Sequence, residues 1–222
     1  MKTVNFKISI AVLFFCLSCT QNVPEPEAFG PTPSERQLAW HSMEYYAFIH
    51  FNMNTFTNME WGIGSEQPAQ FNPTELDVRQ WAKTIKDAGM KGVIITAKHH
   101  DGFCLFDSAL TEYKATNTLA RRDLVSEYVE AFRKAGLKVG LYYSLLDWHH
   151  PDYPAWQDRQ HPMRNNPEFK NQEYNFDNYV EYLHGQVKEL MTNYGKIDII
   201  WFDFSYAEFS GEKWRGSELI EM

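Results

Sequence analysis

The run from Lys196 to Phe204 is apolar without a break from Ile199 to Phe202 and then meets an acid, Asp203. Burying an unpaired charge costs several kcal/mol, so a carboxylate that closes an apolar strand is either paired or set at the mouth of a pocket. A carboxylate held rigidly at a strand end can attack the anomeric carbon of a sugar, provided a second carboxyl protonates the departing oxygen. The competing reading is an acid that only orients a basic side chain elsewhere. Trp201 lies two residues before Asp203 and so shares its strand face, where an indole can cover an apolar sugar face or simply fill the core.

Other polar residues stand at comparable places. His50 follows the apolar run Tyr46 to Ile49, and Glu60-Trp61 pairs a carboxylate that can hold two hydroxyls with a second indole. His99 and His100 are adjacent; on a regular strand they would face opposite ways, but at a strand end both can turn to the mouth. Neutral imidazoles donate and accept, which suits sugar hydroxyls, although either could be structural. A zinc site would want a His-x-His pair, and Ile49-His50-Phe51 offers one histidine. Tyr142 and Tyr143 face opposite ways, so at most one looks into a pocket. Ser144, Asp147 and Trp148 close the same segment.

The elements that must position these residues repeat one plan: amphipathic helix, glycine stop, lysine, apolar strand. The first helix begins at Asp77 with Val78, Trp81, Ala82, Ile85 and Ala88 on one face and stops at Gly89, before the strand 93–97. The second is capped by Asp123, carries Leu124, Val125, Tyr128, Val129 and Phe132, and stops at Gly136 before the strand 139–143. The third keeps Phe176, Val180, Leu183, Val187, Leu190 and Met191 in helical spacing, and Gly195 precedes the strand of Asp203. An earlier strand, 46–51, comes before them all.

Helices alternating with continuously apolar strands predict an α/β fold with a helix-covered parallel sheet, doubly wound or a (β/α)8 barrel. Asn52-Met53-Asn54-Thr55 is no glycine-rich nucleotide turn, and the polar residues gather at strand ends, as in barrels. The barrel is therefore expected. Four strand and helix units can be counted, the fourth helix starting near Ser217, so the expectation is a truncated half-barrel with raw sheet edges. The segment 149–172, with four prolines and with Tyr153, Trp156 and Phe169, reads as a binding loop or lid, or else a plain surface insertion.

Composition narrows the partners. With 29 acidic against 21 basic residues the net charge is −8, which leaves no basic stripe for nucleic acid. Residues 1–18 read as a signal peptide: lysines lead into an apolar run, 8–17, too short to span a bilayer. Leu17-Ser18-Cys19 resembles a bacterial lipobox, so Cys19 is expected to carry lipid and 19–35, with Pro24, Pro26 and Pro31, to be a tether. That predicts an exported, periplasmic or outer-membrane-anchored lipoprotein touching membrane only through its anchor, with simple secretion as the alternative. Cys104 is then left alone as a small buried hydrophobe.

Together, Phe48-Ile49-His50-Phe51-Asn52, Asn54-Thr55-Phe56 with Glu60-Trp61-Gly62, Lys98-His99-His100-Asp101-Gly102-Phe103, Leu141-Tyr142-Tyr143-Ser144 with Asp147-Trp148, and Trp201-Phe202-Asp203 resemble the α-L-fucosidases of glycoside hydrolase family 29. The resemblance covers nearly all of 39–204 and makes 36–222 the N-terminal part of a catalytic domain. It implies a retaining exo-glycosidase that removes terminal α-L-fucose from oligosaccharides or glycoproteins without metal or cofactor. It implies Asp203 as nucleophile, with His50, Glu60, Trp61, His99, His100, Tyr142 and Trp201 around the sugar. The Asn54-Thr55-Phe56-Thr57 and Glu60-Trp61-Gly62 stretch is similar to the branch preferring α-1,3 and α-1,4 links. Two departures stand out. The family's acid/base glutamate has no counterpart here, Glu208 and Glu212 matching no motif, and Phe204 follows the nucleophile where a glycine is common. A fragment that at best binds sugar is the alternative outcome.

Overall fold

The computed structural model describes residues 24–155, 157–167 and 170–222. The expected signal peptide, Cys19 and the start of the tether lie outside the described residues, as do Trp156 and Phe169. The chain divides into two compact units, Met1–His41 and Ser42–Met222. In the first, the helix Glu35–His41 opens on a reciprocal cap: Gln37 N donates to Ser34 Oγ at 3.3 Å and Ser34 N to Gln37 Oε1 at 2.7 Å. No helix among the described residues is long and apolar enough to cross a membrane.

The second unit holds four parallel strands in the order β1-β2-β3-β4: β1 Ala47–Ile49, β2 Gly92–Lys98, β3 Lys138–Ser144 and β4 Ile199–Asp203. Helices Val78–Asp87, Leu124–Lys134 and Phe176–Asn193 make the crossovers. Each starts where an Asp or Asn side chain accepts from the first-turn amides, at Asp77, Asp123 and Asn175. Each is followed by a glycine with positive φ, Gly89, Gly136 or Gly195, which lets the chain leave the helix without a Cβ clash. A short helix, Gly216–Glu221, follows β4.

The two faces of the sheet differ. Val93, Ile95, Ala97, Val139, Leu141 and Tyr143 join the core with Val125, Phe132, Leu183 and Val187 of the helices. On the opposite face, Phe48 of β1 and Trp201 of β4 have ring centroids 5.4 Å apart. These strands are the two ends of the sheet, and three flat strand spacings would separate them by roughly 14 Å. Only a tightly coiled sheet brings their rings together. That curvature belongs to a barrel wall and excludes an open doubly wound sheet.

Two expectations need correction. The strand expected over 46–51 is only Ala47–Ile49, so His50 and Phe51 belong to the turn after it. The run Ile199 to Phe202, whose unbroken apolar residues read as a buried strand, is half-exposed, with Trp201 44% accessible, because β4 is an edge strand whose inner face lacks an opposing layer among the described residues. The alternation of β2 also breaks. Thr96 pairs with Tyr142 but Lys98 with Tyr143, so Ala97 is one extra residue. This bulge leaves both Ala97 and Lys98 on the helix side of the sheet and re-aims the chain that follows toward the inner face.

Candidate active site

The bulge governs where the polar residues of β2 go. Lys98 is buried on the helix side, its Nζ 2.9 Å from Asp147 Oδ2, with the rings of Tyr143, Tyr179 and Tyr182 4.5, 5.8 and 5.8 Å away. The other Asp147 oxygen accepts from His149 N at 3.1 Å and His150 N at 2.9 Å. Gly102, at φ +82°, makes room for it: a Cβ there would lie 2.2 Å from Asp147 Oδ1. The Lys98–Asp147 pair thus ties the end of β2 to the loop after β3, and the histidine pair sits between those anchors.

His99 and His100 both turn to the inner face, with ring centroids 3.9 Å apart and planes 32° from parallel. His50 packs on His99 at 4.6 Å, and Tyr142 stacks beside His99 at 5.9 Å. Tyr142 Oη donates to Asp203 Oδ2 at 2.6 Å, while Phe204 N donates to Asp203 Oδ1 at 2.9 Å. The acid is therefore one side chain from the paired imidazoles, with both oxygens held. Trp201 flanks Tyr142 at 5.7 Å. On the other side, Trp61 and Phe204 stand edge-on to His100 at 5.6 and 4.4 Å. Tyr143 faces away, its hydroxyl donating to Gln186 of the helix Phe176–Asn193 at 2.7 Å.

Of the eight predicted site residues, seven converge: Asp203, Tyr142, His50, His99, His100, Trp61 and Trp201. Glu60 is exposed on its loop and engages in no hydrogen bond or ion pair among the described residues. Phe204 has φ 64°, the left-handed region where glycine is unstrained, and a phenylalanine there costs about 1 kcal/mol. Its ring walls the pocket against His100.

Sequence reasoning did not find the supports beneath the site. Asn54 Nδ2 lies 3.3 Å from His99 Nδ1, and Ser144 Oγ lies 2.7 Å from His100 Nδ1. Asp158, itself buried, accepts from Trp148 Nε1 at 2.7 Å, Tyr153 Oη at 2.8 Å and Tyr206 Oη at 2.7 Å. That carboxylate pins the loop 149–172 to the segment after β4. An acid in a proline-rich loop carries no sign of so distant a partner as Tyr206.

Burial pushes the pKa of His99 down to about 2 and that of His100 to about 3; His100 and His50 add to the first effect, His50 and Lys98 to the second. Asp101 moves the other way, to about 7, chiefly through burial and with Glu66 and Asp147 adding like charge against one backbone hydrogen bond from Phe103. The signs oppose each other. Below the ordinary histidine value of 6.5 the unfolded chain binds protons that the two folded histidines refuse, so stability falls on acidification. Between 3.8 and about 7 folded Asp101 keeps a proton the unfolded chain loses, so its contribution falls as pH rises. Two protons outweigh one, and His50, His150 and His161, also lowered by burial, add to the majority. Stability is expected to rise between about pH 4.5 and about 6.5 by ~1.4 kcal/mol per pH unit or more. Urea midpoints measured across that range check this, and a flat or falling profile contradicts it.

A coiled parallel sheet with an acid, three imidazoles and two indoles at its carboxyl end has the construction of a glycoside hydrolase catalytic domain of the TIM-barrel type. Comparison with known proteins narrows that class. The chain belongs to the alpha-L-fucosidase family, glycoside hydrolase family 29, whose model, described as Alpha-L-fucosidase, matches residues 28–222. It is 37% identical to Alpha-L-fucosidase 1 of Arabidopsis thaliana over 221 residues, 95% of this chain and 39% of the relative. Among solved structures, alpha-L-fucosidase isoenzyme 1 from Paenibacillus thiaminolyticus matches with TM-score 0.79 and 53% identity, over 84% of this chain and 47% of that one. A glycoside hydrolase 29 family member from an unknown rumen bacterium matches with TM-score 0.71 and 39% identity, over 88% and 34%. The chain thus spans less than half the length of each of these relatives.

Proposed function

We propose that this chain is the nucleophile-bearing part of a retaining exo-glycosidase that hydrolyses terminal α-L-fucose from oligosaccharides or glycoproteins, with Asp203 as nucleophile. The observation that carries the reading is the Asp203 carboxylate itself: it is held at a strand end by Tyr142 at 2.6 Å and Phe204 N at 2.9 Å, beside the stacked histidine pair. Holding both oxygens fixes the orientation of the carboxylate, which a nucleophile requires. In the reaction Asp203 attacks the anomeric carbon, the glycosidic oxygen leaves with a proton, and water then cleaves the glycosyl ester through an oxocarbenium-like transition state. Fucose carries a methyl group in place of a hydroxymethyl. Trp61, Trp201 and Phe204 offer it apolar cover, and His50, His99, His100 and Glu60 offer partners for the hydroxyls.

The proton donor is the open place in this scheme. Of the buried or paired acids around the site, Asp147 is engaged with Lys98, Asp158 with three donors and Glu66 with the amides of Ile63 and Gly64, while Asp101 accepts from Phe103 N and is fully buried behind His99, out of reach of a leaving group in the cup. Glu208 lies 3.8 Å from Arg159 and Glu212 caps Ser217. We therefore assign the acid/base carboxyl to a segment outside these 222 residues, and the second reading, a chain that binds sugar without cleaving it alone, follows from the same observation. Free fucose released from a panel of fucosylated oligosaccharides tests both. Release is expected from a polypeptide of the family's length that carries this chain, and none from residues 19–222 alone. Turnover by the latter would put the acid inside the chain, and no release by either would end the fucosidase reading.

We further propose export, with 1–18 as signal peptide, acylation at Cys19 and 19–35 as tether. The lysine-led apolar run and the Leu17-Ser18-Cys19 sequence support it. The mass of the mature N-terminal peptide tests it: a diacylglyceryl Cys19 is expected, and an unmodified residue upstream of it would refute the anchor.

A further inference from the structure

The supports under the histidine pair differ in kind, and the difference fixes protons. Ser144 Oγ donates to Leu146 O at 2.9 Å, so its only proton is used. Toward His100 Nδ1, 2.7 Å away, Ser144 can therefore only accept, and His100 must carry its proton on Nδ1. His99 Nδ1 instead meets the Asn54 amide nitrogen at 3.3 Å, a group that only donates. Asp101 Oδ2, at 3.9 Å from His99 Nδ1, is too far to take a proton from it directly.

We infer that His99 and His100 are locked in opposite neutral tautomers, His99 protonated on Nε2 and His100 on Nδ1, with Asn54 and Ser144 as the positioning residues. Each Nε2 lacks a hydrogen-bond partner among the described residues, and both rings turn to the inner face, where they are 2% and 1% exposed. One presents a donor there and the other an acceptor. Two rings 3.9 Å apart with this polarity recognise a free hydroxyl, or two neighbouring ones, which accept from His99 and give a proton to His100. An ether oxygen satisfies the first and leaves the second unpaired, which buried groups do not tolerate well. This consequence for the substrate rests on the sugar reading given above, whereas the tautomers do not.

Two-bond proton–nitrogen correlation spectra of the uniformly 15N-labelled full chain at neutral pH distinguish the tautomers directly. The expected spectrum has His100 in the Nδ1–H form and His99 in the Nε2–H form, and Ser144→Ala is expected to remove the protected Nδ1–H signal of His100 while His99 keeps its pattern. If that variant fails to fold, the unsubstituted chain alone decides the matter. His100 found as Nε2–H, or His99 as Nδ1–H, overturns the inference. Adding L-fucose and its O-methyl ethers separates the two layers: opposite tautomers with no response of either ring to fucose would sink the substrate reading and leave the tautomers standing.

Discussion

Asp203→Asn is expected to lower turnover of an aryl fucoside at least ~10³-fold, about 4 kcal/mol of barrier, in a polypeptide of the family's length that carries this chain. The amide has nearly the shape of the carboxylate. Its oxygen can still accept from Phe204 N, and its nitrogen can donate to the Tyr142 hydroxyl that now donates to Asp203 Oδ2. The fold should therefore survive, and the loss should report chemistry: an amide is too weak a nucleophile to form the glycosyl ester. The alternative for Asp203, an acid that merely orients a neighbour, predicts a modest loss confined to KM. Near-normal rates in the variant would end its assignment as nucleophile.

The second large effect concerns stability and needs no substrate. Asp147→Ala leaves the Lys98 ammonium at 0% exposure without a carboxylate partner among the described residues, facing aromatic rings 4.5 to 5.8 Å away. It also removes the acceptor of two backbone amides. Breaking a buried pair in this way costs roughly 3–5 kcal/mol. Lys98→Met should cost less, since the remaining carboxylate keeps its bonds from His149 N and His150 N. Urea unfolding of both variants checks the order. Two losses below about 1 kcal/mol, or the reverse ranking, would mean that this pair does not anchor the loop after β3.

Why some of this was legible in the residues and some was not has a physical basis. The helices were readable because their determinants are local: Asp77 and Asp123 accept from the amides two or three residues ahead, and a glycine follows each helix a few residues beyond its end. The order of the sheet followed from alternating helix and strand. The convergence of Asp203, Tyr142 and the two histidines was legible because each lies at, near or just after the end of a parallel strand, and parallel strands deliver their ends to one rim. The bulge at Ala97 was not, since nothing in Thr96-Ala97-Lys98 marks an extra residue, and the partner that Lys98 meets on the helix side, Asp147, lies 49 positions on. The position of β4 at an edge was not legible either, because an apolar run does not reveal whether the strand is central or at an edge. Asn54 and Ser144 escaped as tautomer-setting groups for a similar reason, since a hydrogen bond's direction depends on partners that only the folded chain supplies.

The central claim is that Asp203 becomes covalently bonded to the sugar. A 2-deoxy-2-fluoro-L-fucosyl fluoride tests it most directly, because fluoride leaves without needing a proton while the C2 fluorine slows the hydrolysis of the ester. Mass spectrometry of the digested protein should find one fluorofucosyl group, on the peptide containing Trp201 and Asp203, and none in the Asp203→Asn variant. A label on any other side chain, or hydrolysis that proceeds with no label at all, would contradict the account.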